Sequence, residues 1–251
     1  MEMPTLIDMP IDAVTMDGAV HRISDSIANG RGGTVLTPNI EILRQYRSTP
    51  ELRSVFERTD LRVVDGMPLV VALRLQRTPV PEQITGTDLL WALSGAAAQV
   101  GFSVLLAGGR DGDAERAAER LRAEFSGLRA RTHACFVRPD TEAEELARLR
   151  ATIIAAEPDV VFIGLPFRVQ VTLMDELRAA LPRTWFVGVG STFELVNGDR
   201  SRPPKWLQRL CLEWAWRLTQ QPEMWRRYFV DGMPTAALLL ASALRQRWRR
   251  A

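Results

Sequence analysis

The feature that most constrains this chain is an alternation. Short, continuously apolar runs recur along it, and each is followed by a stretch with helical spacing. The runs lie in "GGTVLTPN" (32–39), "LRVVD" (61–65), "FSVLLAGG" (102–109), "DVVFIGLP" (159–166) and "TWFVGVGS" (184–191), and "LRARTHACF" (128–136) reads as a further strand. Between them, "IEILRQYRSTPELRSVFERTD" reads as helix broken near Thr49-Pro50, and the chain turns helical again around Pro68. "GTDLLWALSGAAAQV" reads as a helix capped by Thr87 or Asp88, and "GDAERAAERLRAEF", "EAEELARLRATIIAAE" and "QVTLMDELRAAL" follow as helices. A strand that is apolar throughout must be covered on both faces, and a helix between successive strands makes them parallel. The expected fold is α/β, a Rossmann-like, mostly parallel sheet with helices on both faces.

The residues just beyond each strand locate a site. Thr37 and Asn39 come after the first, Asp65 and Gly66 after the second, Gly108 and Gly109 after the third, Gly164 after the fifth, and Gly188, Gly190 and Ser191 after the sixth. In open α/β sheets, ligands bind beyond the carboxyl ends of the strands. Glycines there admit close backbone approach, and helix N-termini there favour anions such as phosphate. Asp65 is open to two readings: a cap for the next helix, or a carboxylate pointing into an active site.

Other chemistries find less support. "AGGRDGD" (107–113) lacks the G-x-G-x-x-G spacing of a dinucleotide loop, and no acidic residue closes the next strand. Asp111-Gly112-Asp113 has the D-x-D form of a metal-nucleotide site, but it opens a helix, where aspartates complement the dipole. His21 and His133 are the only histidines, and Cys135 and Cys211 the only cysteines, so neither a zinc site nor a histidine-activated nucleophile is indicated. His133 reads as a strand residue. Two cysteines make no disulfide framework, which suits a reducing cytoplasm. "MEMPTLIDMP" has no signal-peptide form, and "AALLLASAL" (236–244) is well short of a spanning helix. "GLPFRVQ" places Arg168 and Gln170 at the start of a helix on the same sheet edge, as solvated first-turn residues or as contacts to a ligand.

Composition shifts near residue 200. From Arg200 onward there are eleven basic residues and three acidic ones, a net +8 in a chain of net +2, so the preceding residues carry −6. Five of the seven tryptophans also lie there: Trp206, Trp214, Trp216, Trp225 and Trp248. This sets a boundary between an α/β domain, 1–199, and a basic helical C-terminal appendage, 200–251. "PPKWLQRLCLEWAWRLTQQPEMWRRYF" begins as a proline-initiated helix with Leu207, Leu210, Trp214 and Leu218 on one face. Tryptophan beside arginine suits a membrane surface, and the apolar face could equally pack on the body or on another subunit, which leaves a homo-oligomer open. No nucleic-acid motif appears, and the body is acidic, so no nucleic-acid partner is expected.

"TPNIEIL", "VVDGMPLV", "GTDLLWAL", "LLAGG", "FIGLP", "GVGSTFELVNGDRSRPPKWLQRLCLEWAWRL" and "QPEMWRRYF", in this order and spacing, resemble the WecG/TagA/CpsF glycosyltransferase family over about residues 10–230. The resemblance implies an inverting, metal-independent enzyme with no cofactor. Such an enzyme moves a sugar from a UDP-sugar to a polyprenyl-diphosphate-linked saccharide in exopolysaccharide or other envelope-glycan synthesis. It implies a cytoplasmic location, peripheral at the inner face of the membrane, with the appendage binding the membrane and completing the site. The matching residues are Thr37 and Asp65 as catalytic residues, Asp65 as general base, with Asn39, Gln170 and the tail arginines Arg217, Arg226 and Arg227 as substrate-binding residues, beside Gly108, Gly109, Gly164 and Arg168 at the sheet edge, also expected to bind substrate. Two departures leave the donor sugar open: Gln83 stands where the family usually has arginine, and Val171 where it often has an acidic residue. A UDP-sugar-binding sensor without turnover and a membrane-surface scaffold are the competing classes. Thr37, Asn39 and Asp65 together favour the enzyme.

Overall fold

The structure is a computed structural model and describes residues 4–78, 81–110, 112–137, 142–199, 201, 203–204, 207 and 212–249. A small antiparallel hairpin, β1 (Thr5–Leu6) and β2 (Met9–Pro10), opens the chain and leads into α1 (Met16–Ala28). β3 (Gly33–Leu36), α2 (Ile40–Ser48), α3 (Pro50–Glu57) and β4 (Leu61–Arg62) follow. Next come α4 (Met67–Leu75), α5 (Gly86–Val100), β5 (Ser103–Gly108), α6 (Asp113–Glu124) and β6 (Arg129–His133). Then α7 (Glu142–Ala156), β7 (Val160–Gly164), α8 (Phe167–Ala180), β8 (Trp185–Gly188) and α9 (Thr192–Asn197) complete the body. The tail holds α10 (Glu213–Gln220), a 3-10 turn (Pro222–Met224), a π-helical turn (Arg227–Gly232) and α11 (Met233–Arg249).

β3 to β8 form one sheet in the order β4-β3-β8-β7-β5-β6, and every neighbouring pair is parallel. The expected α/β architecture with helices on both faces is what the chain forms. Side chains alternate across the sheet with period two. Leu36, Leu105, Val161, Ile163 and Phe186 join one buried cluster, with α2, α3, α4, α7 and α8. Val35, Val104, Leu106, Phe162 and Val187 join the other, with α1, α5, α6 and α9. Both clusters are apolar, which is why the inner strands read as apolar runs, while β6, at the sheet edge, exposes Arg129 and Arg131.

Several elements differ from expectation. β4 is only two residues long; Val63 still donates to the Leu36 carbonyl at 3.0 Å, and the chain then runs through Val64 to Asp65. α8 starts at Phe167, ahead of Gln170, since Pro166 supplies a fixed turn there. α5 is capped by Thr85, not by Thr87 or Asp88: Thr85 Oγ1 accepts from the Asp88 amide at 3.1 Å and donates to the Asp88 carboxylate at 2.6 Å. The hairpin, α1 and α9 add to the expected set. In the tail, Leu207, Trp214 and Leu218 are half-buried, while Leu210 and Cys211 lie outside the described residues. Trp214 meets the Phe229 ring edge-on at 5.6 Å. α11 packs on α4 and α2 and buries Leu239 and Ala243 completely in the first cluster. No helix among the described residues is long and apolar enough to cross a membrane.

Candidate active site

Neighbouring strands β5 and β7 send the chain to opposite faces, β5 into α6 and β7 into α8. Such a switch leaves a crevice at the carboxyl edge of a sheet. Here it is a cleft of about 630 Å³, and Thr37, Asn39, Asp65, Gly109, Gly164, Gln170, Arg217 and Arg227 all line it. The first turns of α2, α5 and α8 begin at its wall, so the positive ends of their dipoles lie there.

Each side chain has a local reason for its place. Thr37 directly follows β3, is buried, and donates from Oγ1 to the Gly188 carbonyl at 3.3 Å. Asn39 caps α2, its Oδ1 accepting from the amides of Glu41 (3.1 Å) and Ile42 (3.2 Å). Asp65 is half-buried, and its own amide donates to the Pro38 carbonyl at 3.0 Å, which ties the loop after β4 to the loop after β3. The N-cap of α4 is Gly66, so Asp65 lies one residue before the cap position that the alternative reading gave it. Gln170 is buried at 3% exposure, and its Oε1 accepts from the Gly190 amide at 3.2 Å. A Cβ on Gly188 would stand 2.0 Å from Gln170 Nε2, so the glycine makes room for the glutamine.

The glycine loops serve geometry first. Gly109 has φ +82°, and its amide donates to the Gly164 carbonyl at 3.0 Å, joining the loops after β5 and β7. Gly108 lies behind this wall, outside the cleft lining. The cleft does not take in Arg168 or Arg226 either; both are exposed outside its lining. Asp113 is buried, with one carboxylate oxygen accepting from the Arg110 amide at 2.9 Å and the other from Arg116 at 2.7 Å. It closes the turn into α6; Asp111 falls outside the described residues.

The sequence reading missed other lining residues, among them Glu41, Thr85, Gly86, Arg110, Thr192 and Glu213. Glu41 could have been found because it opens the helix that follows the "TPN" strand end, and Thr85 and Gly86 because they start the "GTDLLWAL" helix. Burial alone would raise the carboxyl pKa of Glu41. Hydrogen bonds from Arg44 and Gln45, with the charges of Arg44 and Arg227, outweigh it and hold the group below its usual range. Cys135 also lines the cleft, but burial pushes its thiol up to about 11, aided by the charge of Glu145. At neutral pH it is therefore a thiol, and no thiolate nucleophile.

Chemically, the cleft brings the Asp65 carboxylate together with the guanidinium groups of Arg217 and Arg227 and several helix N-termini. A carboxylate so placed can accept a proton from a hydroxyl, and the cationic wall can hold an anionic leaving group. Comparison with known proteins points the same way. A family model described as "Glycosyl transferase WecG/TagA/CpsF family" matches residues 4–250. A relative from Bacillus spizizenii, the N-acetylglucosaminyldiphosphoundecaprenol N-acetyl-beta-D-mannosaminyltransferase, is 26% identical over 217 residues, 86% of this chain and 82% of the relative.

Proposed function

Since the chain belongs to the WecG/TagA/CpsF glycosyltransferase family, we propose that this glycosyltransferase moves a sugar from a UDP-sugar to a polyprenyl-diphosphate-linked saccharide, inverting the anomeric carbon without a metal. The relative's name makes N-acetylmannosamine the first donor sugar to test and lipid-diphosphate-linked N-acetylglucosamine the first acceptor. The observation that carries the reading is the single cleft shared by Asp65, Arg217 and Arg227.

In this reading Asp65 takes the proton of the acceptor hydroxyl as that oxygen attacks the anomeric carbon. A hydroxyl is a poor nucleophile, and general-base help contributes ~10²–10⁴-fold. Negative charge grows on the departing UDP, and Arg217, Arg227 and the N-terminal ends of the α2, α5 and α8 dipoles stabilise it. Thr37 and Gln170 hold the β8 loop through Gly188 and Gly190, and the buried amide of Gln170 sets the floor on which the donor rests. The tail carries the enzyme to its substrate at the cytoplasmic face of the membrane. Trp225, Phe229, Val230 and Trp248 are exposed there beside Arg226, Arg245 and Arg247, an apolar and cationic surface suited to anionic lipid.

The test is UDP release by the wild type and by Asp65→Asn, from a panel of UDP-sugars with lipid-linked N-acetylglucosamine and EDTA present. Release specific to one donor, lost ~10²–10⁴-fold in Asp65→Asn while UDP still binds, is expected. Equal release by both proteins removes Asp65 from the chemistry. UDP binding without turnover by either protein leaves a sensor, and lipid binding without UDP binding leaves a scaffold.

A further inference from the structure

Gln83 lies just ahead of α5 and does not line the cleft. Its side-chain Nε2 nevertheless donates to the backbone carbonyl of Asp65. The bond belongs to a set. The next amide, Ile84, donates to the Val64 carbonyl at 2.8 Å, and Ile84 itself is buried. On one side of Gln83, the Glu82 carboxylate accepts from the Met16 amide and ties the segment to α1. On the other, Thr85 caps α5. The clamp is thus mounted on a segment fixed at both ends, while the amides of Asp65 and Gly66 reach across to the Pro38 carbonyl at 3.0 and 3.4 Å.

We infer that Gln83 is a positioning residue for Asp65: it grips the peptide from which the carboxylate springs and fixes where that carboxylate stands in the cleft. The inference rests on the reading of Asp65 as general base. Asp65 follows a strand of only two residues and precedes a helix whose N-cap is a glycine, so neither element aims it. The loop itself needs an external hold, and the Gln83 amide supplies one. A side chain behind the wall acts through geometry: rate is sensitive to the placement of a reacting group, and about 1 Å of misplacement costs ~10²-fold.

The variant is Gln83→Met, which keeps the length and removes the donor. On the full chain, with UDP-N-acetylmannosamine and lipid-linked N-acetylglucosamine, kcat should fall about ten- to hundredfold while KM for the donor stays within about twofold. In the Asp65→Asn background the same substitution should add nothing, because a residue acting through Asp65 has nothing left to aim. Hydrogen exchange is read in parallel, without turnover: the amides of Asp65 and Gly66 should exchange several-fold faster in Gln83→Met, with α5 and the sheet unchanged. Unchanged exchange at these amides, or a further loss of rate in the Asp65→Asn background, overturns the inference. Wild-type turnover in Asp65→Asn sinks the general-base reading instead, and the exchange result then still decides whether Gln83 holds the loop.

Discussion

Gly188 and Gln170 are a matched pair. The glutamine amide occupies the volume that any Cβ at 188 would need, and the same amide holds the Gly190 backbone. Gly188→Ala should lower stability by about 1–3 kcal/mol, the usual penalty of overpacking, read from the denaturant midpoint. Gly188→Ala combined with Gln170→Ala should cost less than the sum of the two single changes, because the second substitution removes the obstacle met by the first. Additive losses would mean that the two side chains do not compete for the same space. The pair also illustrates what can be read from residues alone. Gln170 is legible as a polar residue beside a strand end, yet its burial and its hold on Gly190 depend on a loop twenty residues away. Thr37, Asn39 and Asp65 are easier to see because each lies within three residues of a strand's end, and the parallel sheet carries all of them to one edge.

Among the elements, α5 shows how a helix start is fixed. Thr85 and Asp88 exchange hydrogen bonds across the first turn, a reciprocal arrangement of the capping-box kind. Thr85→Ala should cost about 1 kcal/mol, and Thr85→Ser much less, as measured by thermal unfolding; equal losses would show that the hydroxyl is not what matters. The sequence pattern gives this helix at its true length, Gly86–Val100, but assigns the cap to Thr87 or Asp88, since all three residues are good caps and only backbone conformation separates them. Long periodic elements are legible because burial of one face imposes their spacing. The hairpin β1–β2 is not: its turn places Ile7 and Asp8 at φ +49° and +69°, where an Asn-Gly pair would have announced it. α1 buries only Ala19, Ile23 and Ile27 along thirteen residues, too sparse a stripe to stand out. Arg217 and Arg227 enter the cleft from the tail, and nothing local in the sequence marks them; the family resemblance alone picks them out.

At the scale of the whole molecule, the tail faces two ways. Leu239 and Ala243 of α11 are sealed into the body, while Trp225 and Trp248 stay 53% and 80% exposed. If the outer surface meets lipid, Trp225→Ser with Trp248→Ser should weaken binding to phosphatidylglycerol vesicles roughly tenfold, with UDP affinity unchanged. Raising the salt should weaken the remaining, charge-driven part. Undiminished vesicle binding by the double variant would assign the exposed rings to something other than lipid. The order of strands in the sheet has a different consequence, one set in time. β8 sits between β3 and β7 and alone joins the β4-β3 pair to the β7-β5-β6 group. A ribosome completes β3 about 150 residues before it completes β8. At roughly 5–20 residues per second, the N-terminal pair waits some 8–30 s, its inner edge unpaired, for the strand that closes the sheet. For that interval the nascent chain depends on chaperones or on α1 to α4 to cover the open edge, and a ribosome that stalls between β7 and β8 releases two half-sheets rather than a shortened enzyme.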